Sequence, residues 1–399
     1  MRTRTENYTP LLKLCLWLAL LLCPIIIVTG LNQHRMLFKP FDLNRLKDDE
    51  VLWFGHASGR QLLSTKLHSL RRRGQPDVLI TGNHAMQNFT LKFKERDFDF
   101  FNFAGPSPSI FEQMHLLRAL ESMGRLPKKL LVFSLLAHGG AGRMLSKDSS
   151  MLAGGHITPP FRISRSNIPA EIKWFFSYER HLDALASLRG GDMVVNFAEC
   201  RRAYQGRAGR GVPLSLRLRS KLAEYLSPYA TWNFGLLSLG EMCAETRFFR
   251  QINNYGLQRN GEYVNEYRYV LKFHRPYNYL ILDQNAATAA AEEAIGGIRA
   301  LEAFARKHGF RIAYLIPPRY EKPNNGPNDT VSNMIFEKLT DAHTIDFRRY
   351  WLETKFYNDD VHLSDDFGEI LAPCLSKILD AKGPLRGRPA IPGHGRTVC

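Results

Sequence analysis

The sequence is short of carboxylates, of cysteines at metal-binding spacing and of long apolar runs beyond its N-terminal stretch. Its 54 lysines and arginines face 38 aspartates and glutamates, a formal net charge of +16 at pH 7. That deficit of negative charge points to a polyanionic neighbour: an anionic membrane surface, an acidic glycan or nucleic acid. Nucleic acid is the weakest of the three, because there is no zinc-finger spacing, no RNP-like aromatic motif and no long basic helix. The 6 cysteines include no Cys-x-x-Cys. Cys15 and Cys23 fall in the N-terminal apolar stretch, while Cys200, Cys243, Cys374 and Cys399 are scattered. This pattern argues against a zinc or redox site, and no metal or cofactor is expected. Cys200 and Cys243 read first as two unpaired buried thiols. A disulfide between them requires a compartment outside the cytoplasm.

What the chain does have begins with one apolar run. Leu11 to Leu31 is interrupted only by Lys13, Pro24, Thr29 and Gly30, and its length is about that of one bilayer crossing. No Ala-x-Ala-like site closes it, and leucines precede Cys23, so it reads as an uncleaved anchor rather than a signal peptide. Arg2, Arg4 and Lys13 at its start favour a cytoplasmic N-terminus. His34, Arg35, Lys39 and Arg45 beyond it weaken that contrast. No later stretch can cross again. The expectation is a single-pass protein of the inner (cytoplasmic) membrane with its main domain periplasmic or otherwise extracytoplasmic.

Four segments follow from the pattern. Residues 1–32 form a cytoplasmic stub and transmembrane anchor. Residues 33–75 form a connector and a basic helix, with Leu62, Leu63, Leu67 and Leu70 at helical spacing and Arg71-Arg72-Arg73-Gly74 at its solvated end. Residues 76–381 form an α/β domain, and the Gly-, Pro- and Arg-rich residues 382–399 a disordered tail. Within the α/β domain, Asp77 to Thr81, Phe98 to Phe103, Lys129 to Leu135, Phe310 to Ile316 and Thr344 to Phe347 read as strands. Helices are expected from Ser109, which opens a capping box with Glu112, from Asp283 to His308, and from Gly368 to Leu379. Residues 137–280 read as an insertion, largely helical. Its cluster Arg201, Arg202, Arg207, Arg210, Arg217, Arg219 and Lys221 is either a solvated face or a surface for anionic glycan or lipid headgroups.

Strand–helix alternation of this kind predicts a parallel sheet with helices on both faces, a three-layer α/β/α domain. Chemistry in such sheets collects at the carboxyl ends of the strands. That rule assembles Gly82-Asn83-His84, Gly105-Pro106-Ser107 and the loop Asp359-Asp360-Val361-His362. In the last of these, an Asp three residues before a His can fix the imidazole tautomer and raise its basicity, as a general base requires. A histidine satisfied within its own loop is the plainer reading.

These blocks resemble the SGNH (GDSL-like) hydrolase superfamily, in its membrane-anchored, extracytoplasmic bacterial branch. Val78-Leu79-Ile80-Thr81-Gly82-Asn83-His84 is similar to the strand and nucleophile turn. Phe101-Asn102-Phe103-Ala104-Gly105-Pro106-Ser107 resembles the block that supplies an oxyanion donor. Asp359-x-x-His362-Leu363-Ser364 resembles the terminal block, in which Asp orients His and His activates Ser. The resemblance implies a flavodoxin-like sheet order, with His362 as base, Asp359 as its orienter, and Asn102, Gly105 and Ser107 on the oxyanion or binding side.

The departure from the pattern lies in the first turn. Asn83 or His84 stands at the nucleophile position, and neither can give an alkoxide. His138-Gly139-Gly140 stands where the family has Gly-x-Asn. Two readings follow. One is a pseudoenzyme, a binding or scaffold partner in surface polysaccharide or acyl-group modification beside a membrane-bound acyltransferase. The other is an active O-acyl esterase or acyltransferase using Asp359 and His362 with a non-standard nucleophile, Ser107 or Thr81, and with His84 as a second base. A structural subunit of a larger membrane complex is a further alternative.

Overall fold

The computed structural model describes residues 13–19, 23, 40–53, 59–82, 84–93, 98–105, 110–135, 193–207, 214–223, 228–264, 284–318, 334–335, 343–350, 353–358 and 362–381. The chain divides into two compact units. One comprises Phe41–Trp53, Ala57–Arg162 and Arg250–Cys399, and carries a parallel sheet. The other comprises Met1–Pro40, Phe54–His56 and Ile163–Phe249.

The sheet-bearing unit opens with strand β1 (Glu50–Trp53) and helix α1 (Gly59–Arg72), followed by β2 (Val78–Thr81) and β3 (Phe100–Asn102). Helix α2 (Ile110–Ser122) and β4 (Leu130–Ser134) complete the first pass. In the second unit, β5 (Val194–Asn196) leads into α3 (Phe197–Arg207), α4 (Leu214–Ala223), α5 (Pro228–Asn233) and α6 (Leu239–Ala244). Ser238 caps α6 in a reciprocal box with Glu241. Cys200 and Cys243 are disulfide-bonded, joining α3 to α6; the sequence alone had favoured two separate thiols. Residues 13–19 are helical. Among the described residues no helix is long and apolar enough to cross a membrane, and most of the Leu11–Leu31 run lies outside those residues. The 382–399 tail lies outside them as well.

Helix α7 (Thr246–Tyr255) returns the chain to the sheet-bearing unit, where β6 (Gly256–Leu257), α8 (Gln284–His308), β7 (Arg311–Ile316), β8 (His343–Asp346) and α9 (Asp365–Asp380) follow. Five strands form one sheet in the order β3-β2-β4-β7-β8, every neighbouring pair parallel. These strands are near-continuous apolar runs because a parallel sheet covered by helices has no wet face. On one face, Ile80, Val132, Ala313, Leu315 and Ile345 share a core with Phe367, Leu371 and Leu375 of α9. On the other, Phe133 meets Tyr314 edge to face, and burial raises the Tyr314 hydroxyl pKa, with Glu302 of α8 raising it further. Helices therefore cover both faces.

Residues 33–75 contain more than a connector. β1 lies within them and pairs antiparallel with β6, Leu52 opposite Leu257. Val51, Leu52 and Trp53 are buried. A run this short becomes a strand only because a partner distant in sequence supplies its hydrogen bonds.

Candidate functional site at the carboxyl ends of β2 and β4

From β2 the chain builds outward in both directions, to β3 on one side and to β4, β7 and β8 on the other. The strand order reverses between β2 and β4, and the region beyond their carboxyl ends is where such sheets place a ligand site. Thr81 ends β2, with Gly82 directly after it, and Ser134 ends β4.

Three segments far apart in sequence meet at this rim. The Gly105 N–H donates to the Gly82 carbonyl at 2.9 Å. The Asn102 carboxamide donates through Nδ2 to the Met86 carbonyl at 2.8 Å and accepts at Oδ1 from the Ala104 N–H at 3.0 Å. The Leu363 N–H donates to the Ala85 carbonyl at 3.2 Å. The last segment is itself folded back: Tyr357 bridges Leu363, the Asn358 N–H donates to the His362 carbonyl at 2.9 Å, and Asn358 Nδ2 donates to the Leu363 carbonyl at 2.7 Å. Half-buried His362 thus lies one residue from the backbone bond that ties its loop to the turn after β2. Asp359, Asn83 and Ser107 lie outside the described residues, as do the side chain of His84 and the Gly139-Gly140 turn.

Two glycines make the approach possible. Gly82 has φ +124°, and a Cβ added there would sit 2.7 Å from the Ser134 Cβ. Gly105 has φ +108°, and its Cβ would overlap the Gln87 carboxamide. Side chains at either position meet both a left-handed backbone and an occupied space.

The polar groups of the rim divide by whether they are committed. Thr81 is fully buried, and its hydroxyl donates to the Val132 carbonyl at 3.3 Å, back into the sheet. Asn102 Nδ2 and the Gly105 N–H hold loop to loop, and Asn102 Oδ1 accepts within its own segment, so each of these two donor groups has a partner. Ser134 differs: its hydroxyl is buried with no hydrogen-bond partner among the described residues. Apolar neighbours on its strand concealed it in the sequence, where it reads as the end of Leu130-Leu131-Val132-Phe133.

Lys66 was also missed. It is fully buried in α1, and its Nζ donates to the Ala104 carbonyl at 2.9 Å, directly behind the Asn102–Gly105 segment. Burial lowers its pKa from 10.5 to about 7, with Glu262 pulling it back upward. Burial raises the Glu262 carboxyl from 4.5 to about 7. The Glu262 backbone N–H, Lys66 and Arg73 oppose that rise, and Asp365 adds to it. Thr90 links the acidic pair, donating from Oγ1 to Glu262 at 3.5 Å and from its N–H to Asp365 at 2.8 Å. The signal in the sequence was spacing: Lys66 falls on the face of α1 that carries Leu62, Leu63 and Leu70, where a solvated lysine would not.

A cavity of about 250 Å³ lies elsewhere, lined by Arg306, Arg311 and His343 among others. It opens at the amino ends of β7 and β8, opposite the rim, and burial with Arg311 lowers the His343 pKa to about 4. Among the described residues no cluster of His, Cys, Asp or Glu could hold a metal ion. No protein-family model and no curated protein matches the chain.

Proposed function

We propose that the chain is a membrane-anchored, SGNH-like protein of the cell envelope that has kept the scaffold of a hydrolase as a binding surface. In this reading it serves as a partner in the acyl modification of a surface polysaccharide, beside a membrane-bound acyltransferase. The strand order, numbered by appearance 2-1-3-4-5, is the flavodoxin-like one and supports the family resemblance. The observation that carries the reading is the commitment of Asn102 and Gly105 to the Met86 and Gly82 carbonyls. A site that must receive charge on an oxyanion keeps such donors preorganised toward the reacting atom. Here they close the rim, and the first turn offers Asn83 and His84 in place of a hydroxyl. The Cys200–Cys243 bridge supports an oxidising, extracytoplasmic setting. The +16 charge suits an anionic glycan or lipid.

The full chain, purified in detergent, is expected to hydrolyse aryl acetates at close to the buffer rate. Robust turnover that disappears in the His362→Ala variant contradicts this reading.

The unpartnered Ser134 hydroxyl favours a second reading, an O-acyl esterase or acyltransferase with a displaced nucleophile. There the Ser134 oxygen attacks the ester carbonyl, its proton passes to His362, and the alcohol leaves with that proton. Turnover lost in Ser134→Ala as well as in His362→Ala distinguishes it.

A further inference from the structure

The large hydrophobic side chains exposed among the described residues are Leu14, Leu16, Trp17 and Leu18 in residues 13–19, and Leu214, Leu218 and Leu222 in α4. Both segments belong to the same compact unit. The three α4 leucines are 72%, 61% and 55% exposed, at i, i+4 and i+8, so they form one stripe along the helix. Arg217 and Lys221, also exposed, run along one flank of that stripe. On the opposite side Leu216 and Ala223 are buried. The inner flank is bonded within the unit: Arg219 pairs with Glu241 at 2.6 Å, and Ser220 donates to Glu245 at 3.2 Å. Nothing in α4 is acidic.

We propose that α4 is an in-plane membrane contact. Leu214, Leu218 and Leu222 enter the acyl boundary of an anionic leaflet, and Arg217 and Lys221 reach its phosphate headgroups. A leucine stripe flanked by cations is what such a surface takes up, with the long basic side chains extending toward the headgroups. An acidic glycan would satisfy the cations and leave three leucines in water. A second copy packed symmetrically on the same stripe would bring Arg217 and Lys221 against themselves with no carboxylate on the helix to offset them. The proposal rests on the reading that residues 11–31 hold the chain at a membrane, and it adds a second contact on the far side of that anchor.

The test uses the full chain with Cys15→Ser, Cys23→Ser and Leu218→Cys, the new thiol carrying an environment-sensitive dye. The chain is reconstituted with vesicles of phosphatidylcholine alone or of phosphatidylcholine with phosphatidylglycerol. Flotation reports the anchor, and quenching of the dye by brominated lipid reports α4. Expected is flotation with both vesicles, with quenching about threefold or more greater on the anionic ones. Adding Arg217→Gln and Lys221→Gln should remove that difference. Flotation with an unquenched dye on both vesicles overturns the α4 contact and leaves the anchor standing. No flotation overturns both. A dye shift that follows protein concentration and ignores lipid composition also overturns the proposal, assigning the stripe to a second copy.

Discussion

Lys66 and Glu262 are buried ionisable groups of opposite sign whose pKa values both approach 7. Between pH 4.5 and about 7 the unfolded chain has released the Glu262 proton while the folded chain keeps it, so this contribution to stability falls as pH rises. Between about 7 and 10.5 the unfolded chain still holds the Lys66 proton that the folded chain has lost, so that contribution rises with pH. Together they produce a minimum near neutrality. Urea midpoints measured across this range should therefore dip near pH 7 in the wild type, and the dip should flatten in the Lys66→Met, Glu262→Gln double variant. A dip that persists in the double variant would assign it to other groups. Residue types at the rim were legible in the sequence, because Gly82, Asn102, Gly105 and His362 belong to recognisable local patterns. Their partners were not. That Asn102 ties Met86 to Ala104, or that Lys66 reaches the Ala104 carbonyl, depends on which loops pack together, and a side chain's spacing along its own helix does not carry that information.

Helix α9 closes against the loop before β3 through a glycine. A Cβ at Gly368 would overlap the Thr90 carbonyl, whose own residue is hydrogen-bonded to Asp365 at the start of the helix. In an exposed helix, Gly→Ala stabilises by about 1 kcal/mol. Here the sign should reverse: Gly368→Ala should cost on the order of 1–3 kcal/mol as the helix is pushed off the loop. Chemical denaturation measures this directly, and a gain in stability would mean that the helix sits further out. The long elements could be read from pattern alone. β2, β4 and β7 are near-continuous apolar runs, and Ala-rich α8 is 25 residues of regular spacing. The β1–β6 pair was illegible because each partner is too short to bury a face by itself. α7 falls within the 137–280 stretch that reads as largely helical, but its bounds could not be read, because the sequence from Gln251 onward has no clean period to set the helix apart.

At the scale of the whole molecule, the parallel sheet and its helical cover followed from strand–helix alternation, and the sheet order placed the switch point between β2 and β4. The division into units did not follow as simply. The separate unit comprises Ile163–Phe249 with the N-terminal residues, a narrower span than the 137–280 insertion that composition suggests. The basic cluster from Arg201 to Lys221 was legible in the sequence, but not that α4 sets an exposed leucine stripe beside Arg217 and Lys221. The central proposal concerns the rim: Asn102 and the Gly105 N–H, donors that a hydrolase would keep for its substrate, are spent on the Met86 and Gly82 carbonyls, while the Leu363 N–H ties in the third loop. The most direct measurement is mass spectrometry of the intact full chain after treatment with a fluorophosphonate, which phosphonylates activated hydroxyls with loss of fluoride. The account predicts no adduct on the folded protein. A stoichiometric adduct on Ser134, Ser107 or Thr81, lost in His362→Ala, would contradict it.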